Sequence, residues 1–357
     1  MVPVFNTDAQ FLLKCLNSIL AQDYSNYRVL LVDNASTNGV SEVLRERAAA
    51  NDAVDLIVKD TNQMLYKSRR DGVEYALSRG AQYITFVDSD DWVEPNYISA
   101  LVQNCVENDV AISYAAYTQF DENDVTPIDW HENVSSMTIE VNDETIRDIF
   151  QSVHGLDEIG FGNHMPVWGG VYRADLFDGV DWRLNNVRVN EDTRLQTQLI
   201  LECYKRNLKV SNTNLLLLHY RQNFGSSVNS PEPERQVETI EHVFSDLVAY
   251  PQMLDRFHLS FDAEVLYDML FLLFWAVNRW IDLGVFTPEA RHAFDSTLRS
   301  VLNSTTRPES ADEGATSEAC GNINKKLLAG APRRLKLLLL LHRFGWGVYC
   351  TMRRVLK

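Results

Sequence analysis

The constraint that most narrows the fold is a repeated change of hydrophobic period over the first 120 residues. Val2–Phe5, Arg28–Val32, Leu56–Val58, Tyr83–Val87 and Val110–Tyr117 are short apolar runs, each long enough for one buried strand. Between them the apolar residues fall at helical spacing: Leu12, Leu16, Ile19 and Leu20, then Val40, Val43 and Leu44, then a helix over Leu65–Ser78, then Leu101 and Cys105. Thr7 or Asp8 can cap the first helix, and Pro95 suits the first position of the fourth. Strands alternating with helices predict an α/β fold with a largely parallel sheet covered on both faces. Ligands of such sheets bind outside the carboxyl ends of the strands, which here carry Asn6, Asp33, Asp60 and Asp88.

Charge excludes one class of partner. The 357 residues hold 49 acids against 33 bases, a net −16 that argues against nucleic acid. The balance is uneven, because Gly321–Lys357 has nine Lys/Arg and no acid. Five scattered cysteines without a C-x-x-C argue against a disulfide framework or zinc ribbon and for a reducing cytosol. Polar Asn6, Thr7 and Asp8 follow Met1 too soon for a signal peptide, and no apolar run approaches the ~20 residues of a spanning helix.

Three clusters can carry chemistry. Asp88-Ser89-Asp90-Asp91 places three carboxylates at a strand exit, where they repel unless a cation sits among them. Hard oxygen ligands favour Mg²⁺ or Mn²⁺; a solvated acidic turn is the bland alternative. Trp92-Val93-Glu94 does not complete an EF-hand loop, and neither a Walker A segment nor G-x-G-x-x-G is present. The second cluster, Glu191-Asp192 before an apolar helix, is a candidate pair of catalytic acids or an ordinary helix cap. The third is His219-Tyr220-Arg221 with Ser226-Ser227, which can hold a diphosphate or be a plain strand exit.

In order along the chain these segments resemble family 2 glycosyltransferases of the GT-A fold, of the bacterial cell-surface polysaccharide type. The resemblance runs through Val2-Pro3-Val4-Phe5-Asn6, Cys15-Leu16 with Ser18, Ile19 and Gln22, Val32-Asp33-Asn34-Ala35-Ser36, and Asn62 through Arg69 to Gly72. It continues at Val87-Asp88-Ser89-Asp90-Asp91, Val167–Arg173, Glu191-Asp192-Thr193, and Tyr220-Arg221 with Ser226-Ser227. It covers residues 2–228, about two-thirds of the chain.

The resemblance implies a GT-A nucleotide-diphospho-sugar transferase fold, a Rossmann-like mixed sheet with a C-terminal helical extension. Domains are expected at 1–228 (glycosyltransferase), 229–303 (helical extension), 304–324 (linker) and 325–357 (basic amphipathic tail). It implies inverting transfer from a nucleotide-sugar, a UDP-sugar by preference, to a hydroxyl of a glycan or lipid-linked acceptor. Asp33 would meet the uracil N3–H, in a pocket formed with Pro3, Val4 and Asn6. Asp88 and Ser89 would lie near the ribose and metal. Asp90, with Asp88 and His219, would hold Mn²⁺ or Mg²⁺. Lys67, Arg69, Arg221 and Ser226 would face the diphosphate. Asp192 would be the general base, with Glu191 orienting it or touching acceptor. Trp168, Gly169 and Trp182 would line the acceptor side, either tryptophan being equally suited to the core.

Three departures from the family pattern stand out: Asn34-Ala35 where V-D-D-G-S is usual, Met64 and Arg70 where Gly and Asn are usual, and a short first strand. Arg70 is expected to add a cation near the donor. The tail pairs Trp346, Tyr349 and a leucine run with Arg and Lys, the composition of an anchor on an anionic membrane surface. A cytoplasmic enzyme, peripheral on the inner face of the membrane, is the resulting expectation, and the apolar Leu266–Ile281 can serve a homo-oligomer. Two rivals are a nucleotidyltransferase on a similar sheet, which would release pyrophosphate, and a non-catalytic nucleotide-sugar or glycan-binding scaffold.

Overall fold

The structure, a computed structural model, describes residues 1–121, 136–146, 149, 166–186, 191–222, 231–241, 277–278, 280–281 and 284–304. The chain divides into two compact units, Met1–Asn223 and Phe224–Lys357. Ser226, the linker and the basic tail lie outside the described residues, as does most of Leu266–Ile281.

The first unit begins as its periodicity predicts. Strands β1 (Val2–Val4), β2 (Val29–Asp33) and β3 (Val54–Val58) form a parallel sheet in that order. Helices α1 (Ala9–Leu20), α2 (Val40–Ala50) and α3 (Leu65–Ser78) connect or follow them. Asp8 is the cap of α1: its Oδ1 accepts the Gln10 N–H at 2.9 Å. The helix then buries Leu12, Cys15, Leu16 and Ile19, one stripe at i, i+3, i+4, i+7. Arg28 and Asp55 tie β2 to β3 through two N–H···O bonds of 2.8 Å. The Arg28 hydrogen bonds hold the Asp55 carboxyl below its usual range. A depressed carboxylate stabilises the fold above the ordinary carboxylate range, and the gain disappears as pH falls through the folded value. Because Arg28 is half in solvent, Asp55→Asn should cost at most ~1 kcal/mol at pH 7. Urea unfolding of both proteins should give that difference at pH 7 and none near pH 2.

The second sheet departs from the parallel expectation. It comprises β4 (Tyr83–Thr85), β5 (Trp92–Val93), β6 (Val110–Asp121), β7 (Met137–Glu140), β8 (Gly170–Arg173) and β9 (Lys209–Gln222). The order is β4-β8-β6-β9-β5, with β7 on β9. Only β6–β9 is parallel; β4–β8, β6–β8, β5–β9 and β7–β9 are antiparallel. The physical reason is long-range insertion. Strands β8 and β9, far along the chain, insert between β4 and β6 and between β6 and β5, and no local period reports that. Helix α4 (Tyr97–Glu107) precedes β6, and α5 (Glu191–Lys205) precedes β9. The core runs from Val2, Leu16 and Leu31 through Tyr97 and Leu101 to Tyr117 and Trp168.

In the second unit, Gln236 organises a turn: its Nε2 donates to the Val285 carbonyl at 2.8 Å and its Oε1 accepts the Thr287 N–H at 3.1 Å. Trp280 stacks on Phe286, and Ile240, Val277 and Phe294 are buried. The helix Pro288–Ser304 follows. Among the described residues no helix is long and apolar enough to cross a membrane.

Candidate active site

The acidic segment Asp88–Asp91 is the turn between β4 and β5, anchored by buried Phe86 and Val87 and closed by Asp91 N–H···O Asp88 at 3.1 Å. Asp91 points inward. Its Oδ1 accepts the Arg221 N–H at 2.8 Å while Oδ2 is buried without a hydrogen-bond partner. Burial, with Asp90 and Asp88 alongside, pushes the Asp91 carboxyl well above the usual range. Burial and the Asp192 charge also raise Asp88, against the pull of Arg69.

Glu191 and Asp192 open α5, where carboxylates favour the exposed N–H groups of the first turn. Glu191 Oε2 accepts the Asp192 N–H at 2.6 Å, and Asp192 Oδ1 accepts the Thr193 N–H at 2.8 Å. Buried Asn185 fixes the start of the helix by donating to the Glu191 carbonyl at 2.9 Å. The two acidic clusters meet on one side chain. Arg69, from α3 and only 1% exposed, donates from Nη2 to Asp88 Oδ1 at 3.0 Å and ion-pairs through Nη1 with Glu191. A guanidinium has the fork to serve two carboxylates at once. Sequence alone assigned Arg69 to a diphosphate; here its charge is spent joining the two acidic motifs.

The exits of β1 and β2 adjoin this centre. Thr7 and Ser89 hydroxyls are 2.6 Å apart. Pro3 and Val4 are buried opposite Val32 and Asp33. Asn6, exposed and left-handed at φ 51°, accepts the Thr37 N–H at 2.7 Å. Asp33 is fully buried: Oδ1 accepts the Ser36 N–H at 2.9 Å and Oδ2 accepts the Ser41 hydroxyl. The carboxylate thus shapes the loop that leads from β2 into α2. Lys67 is half-buried on the first turn of α3.

Arg221 sits opposite the acidic turn. Its Nε donates to the Asp90 carbonyl at 3.1 Å, and its guanidinium lies 3.8 Å from the Phe11 ring centroid. Trp92 collects several groups: His219 stacks on it at 5.0 Å, Phe120 packs against it, and Lys14 Nζ lies 3.1 Å from its centroid. His219 Nε2 is 2.6 Å from Glu94 Oε1. That contact and the Trp92 stack commit Nε2 to Glu94, while Nδ1 is buried without a hydrogen-bond partner. Among the described residues no cluster of three or more His, Cys, Asp or Glu side chains is arranged to hold a metal. Asp88 and Asp90 still fit a hard divalent cation, since such ions leave positions for substrate phosphates and the crowded, raised carboxylates of this turn gain from a positive charge. Trp168 and Gly169 are buried, and Trp168 stacks on Tyr220 at 4.9 Å with Tyr117 at its edge. Its place is in the core and not under a sugar ring. Trp182 is half-buried at the start of a 3-10 turn.

Residues 1–162 match the profile described as Glycosyl transferase family 2. These residues belong to that family. Glycosyltransferase GlyA of Streptococcus pneumoniae is 30% identical over 226 residues, 63% of this chain and 30% of GlyA. Glycosyltransferase GlyG of the same species is 25% identical over 249 residues, 70% of this chain and 78% of that one. The chain therefore spans under a third of GlyA and over three-quarters of GlyG. A crystal structure of S. aureus TarS 1-349 in complex with UDP-GlcNAc aligns over 93% of this chain and 92% of that one, at 15% identity and TM-score 0.48.

The first unit is a mixed α/β fold, and that fold explains where residues 1–162 depart from the family pattern. Asn34, nearly buried, donates to the Gln63 carbonyl at 2.5 Å and to Asn62 Oδ1 at 2.9 Å, and accepts the Gln63 N–H at 2.9 Å. An aspartate cannot make those donations. Asn34→Asp should therefore cost ~1–3 kcal/mol, read as a lower denaturation midpoint, despite restoring the family residue. Ala35 keeps the left-handed backbone, φ 62°, for which glycine is suited. Arg70 does not add a free cation to the donor side, because Asp71 at 2.8 Å and Glu74 neutralise it locally. Ser18 and Gln22, part of the family pattern, are structural: Ser18 Oγ accepts the Val93 N–H, and Gln22 bonds the Glu94 carbonyl and the Ile98 N–H. Thr7, Asn185 and the dual engagement of Arg69 were not legible as site features, since each depends on partners distant in sequence.

Proposed function

We propose that this chain is a metal-dependent, inverting glycosyltransferase that moves a hexosyl or N-acetylhexosaminyl group from a nucleotide-sugar, a UDP-sugar by preference, to a hydroxyl of a glycan or lipid-linked acceptor. The observation that carries it is the Arg69 junction: one buried guanidinium links Asp88 to Glu191, so the acidic turn and Asp192 serve one cleft.

In this reading the base rests against Pro3, Val4 and Asn6, with Asp33 holding the loop. Asp90 and Asp88 would hold Mg²⁺ or Mn²⁺, which would supply positive charge against the departing diphosphate. Arg221, already against the acidic turn, adds a second positive charge on that side. Asp192 accepts the proton of the acceptor hydroxyl as its oxygen bonds to the anomeric carbon. The anomeric C–O bond to the diphosphate breaks, and the nucleoside diphosphate leaves with the electron pair. Attack from the opposite face inverts the anomeric centre. Glu191, fixed by Arg69 and bonded to the Asp192 N–H, orients the base. The basic segment 325–357 would bring the enzyme to anionic lipid on the cytoplasmic face, a place suited to cell-surface polysaccharide synthesis.

The test is a panel of nucleotide-sugars with the protein, Mn²⁺ or Mg²⁺, and water or glycan acceptors. Release of nucleoside diphosphate is expected, abolished by chelation and restored by either ion. Release of pyrophosphate would instead mark a nucleotidyltransferase, and no turnover of any donor would leave a binding scaffold.

A further inference from the structure

A cavity of about 440 Å³ opens between α4, β7 and β9, well away from the carboxylates. Strand register locates it. Tyr114 pairs with Asn212 at the level of the cavity, whereas Phe120 pairs with Arg221 beside the acidic turn. Six residues of β6 separate the two levels, roughly 20 Å along the strand.

The lining is unusual for so acidic a chain. Helix α4 contributes Gln103, Asn104 and Asn108, and the strands contribute Thr138, Ser211 and Thr213. Among the described residues Glu107 is the one charged lining residue, and it accepts a hydrogen bond from Gln103 Nε2 at 2.6 Å. Leu215, 45% exposed, and Met137 add apolar surface. A bulge builds the wall on the β9 side. Between the pairs Tyr114–Asn212 and Ala116–Leu216, β6 advances two residues and β9 four. Asn214 takes the left-handed region at φ 53°, and its N–H donates to Asn212 Oδ1 at 2.9 Å. Thr213 Oγ1 pins the bulge by donating to the Tyr114 carbonyl at 3.0 Å and accepting the Leu215 N–H at 3.3 Å. Bulges re-aim side chains, and this one presents Leu215 beside the amides and hydroxyls.

Amides and hydroxyls each donate and accept, as sugar hydroxyls do, and the apolar side chains match the C–H faces of a sugar ring. Among the described residues no cation lines the cavity to hold a phosphate or carboxylate, and Glu107 opposes one. We propose that this cleft binds a neutral oligosaccharide. Resting on the glycosyltransferase reading, its role is to hold the acceptor glycan at a distance from the reacting end.

The experiment uses the full chain, with maltopentaose, cellopentaose and chitopentaose as neutral probes and pentagalacturonate as the acidic control. Binding is followed by calorimetry and by amide NMR shifts of residues 103–108 and 211–215. Leu215→Arg and Gln103→Arg change exposed positions, and thermal melting checks that both variants fold. At least one neutral pentaose should bind the wild type, shift those amides, and bind about tenfold more weakly to the variants, the worth of one or two neutral hydrogen bonds. Acceptor-independent hydrolysis of a nucleotide-sugar should be unchanged in both. The proposal is overturned if no neutral pentaose binds, if the acidic control binds as well, or if the folded variants keep wild-type affinity. Saccharide binding at the cleft without turnover of any donor would sink the enzymatic reading alone; donor turnover with a silent cleft would sink this inference alone.

Discussion

Arg69→Met should be the most damaging single change in the first unit, lowering the unfolding free energy by ~3–5 kcal/mol and turnover by at least ~10²-fold. The substitution keeps most of the side-chain volume and removes the charge that Glu191, 5% exposed, and Asp88 share. Both carboxylates then remain in the protein without their cation. Arg69→Lys should recover only part of the loss, because an ammonium is a single point charge and lacks the fork that reaches two acids. The double variant Arg69→Met with Glu191→Gln separates stability from chemistry. It should be more stable than Arg69→Met alone, since one stranded charge is gone, while turnover stays low. Urea unfolding of wild type, Arg69→Met, Glu191→Gln and the double variant gives the coupling. If Arg69→Met unfolds at the wild-type midpoint, the junction does not hold the site together.

Asp192→Asn should leave stability and nucleotide binding close to wild type and reduce turnover by ~10²–10⁴-fold. Its side chain bonds the Thr193 N–H through Oδ1, a contact the amide oxygen of asparagine reproduces. What asparagine cannot do is accept the acceptor proton. The loss should therefore fall on kcat, with the donor dissociation constant, measured by calorimetry, moving little. Wild-type turnover in this variant would remove Asp192 from the reaction. The contrast with Arg69 is informative: one residue should fail in chemistry with the fold intact, the other in both.

How much could be read before the structure depended on how local each signal is. The bounds of α3, Leu65–Ser78, and the Asp8 cap of α1 follow from spacing and capping chemistry within a few residues. The acidic turn and Glu191-Asp192 were visible because clustered carboxylates are conspicuous on their own. The antiparallel second sheet was not, because β8 enters between β4 and β6 from far along the chain. The same limit hid the partners of Arg69 and His219. A cation or imidazole in a motif shows what it can bind, and only its neighbours, here Glu191 and Glu94, show what it does bind. Asn34 reads from sequence as a lost carboxylate, yet its amide is what Gln63 and Asn62 require.

The indole of Trp92 touches Lys14, His219 and Phe120 and lies one residue beyond the acidic turn that Arg221 braces. That placement gives the protein an intrinsic optical reporter. Any ligand that draws Arg221 or Lys14 away changes the quenching environment of this one fluorophore, so occupancy of the cleft can be followed by emission without a label, and Trp92→Phe marks which part of the signal is its own.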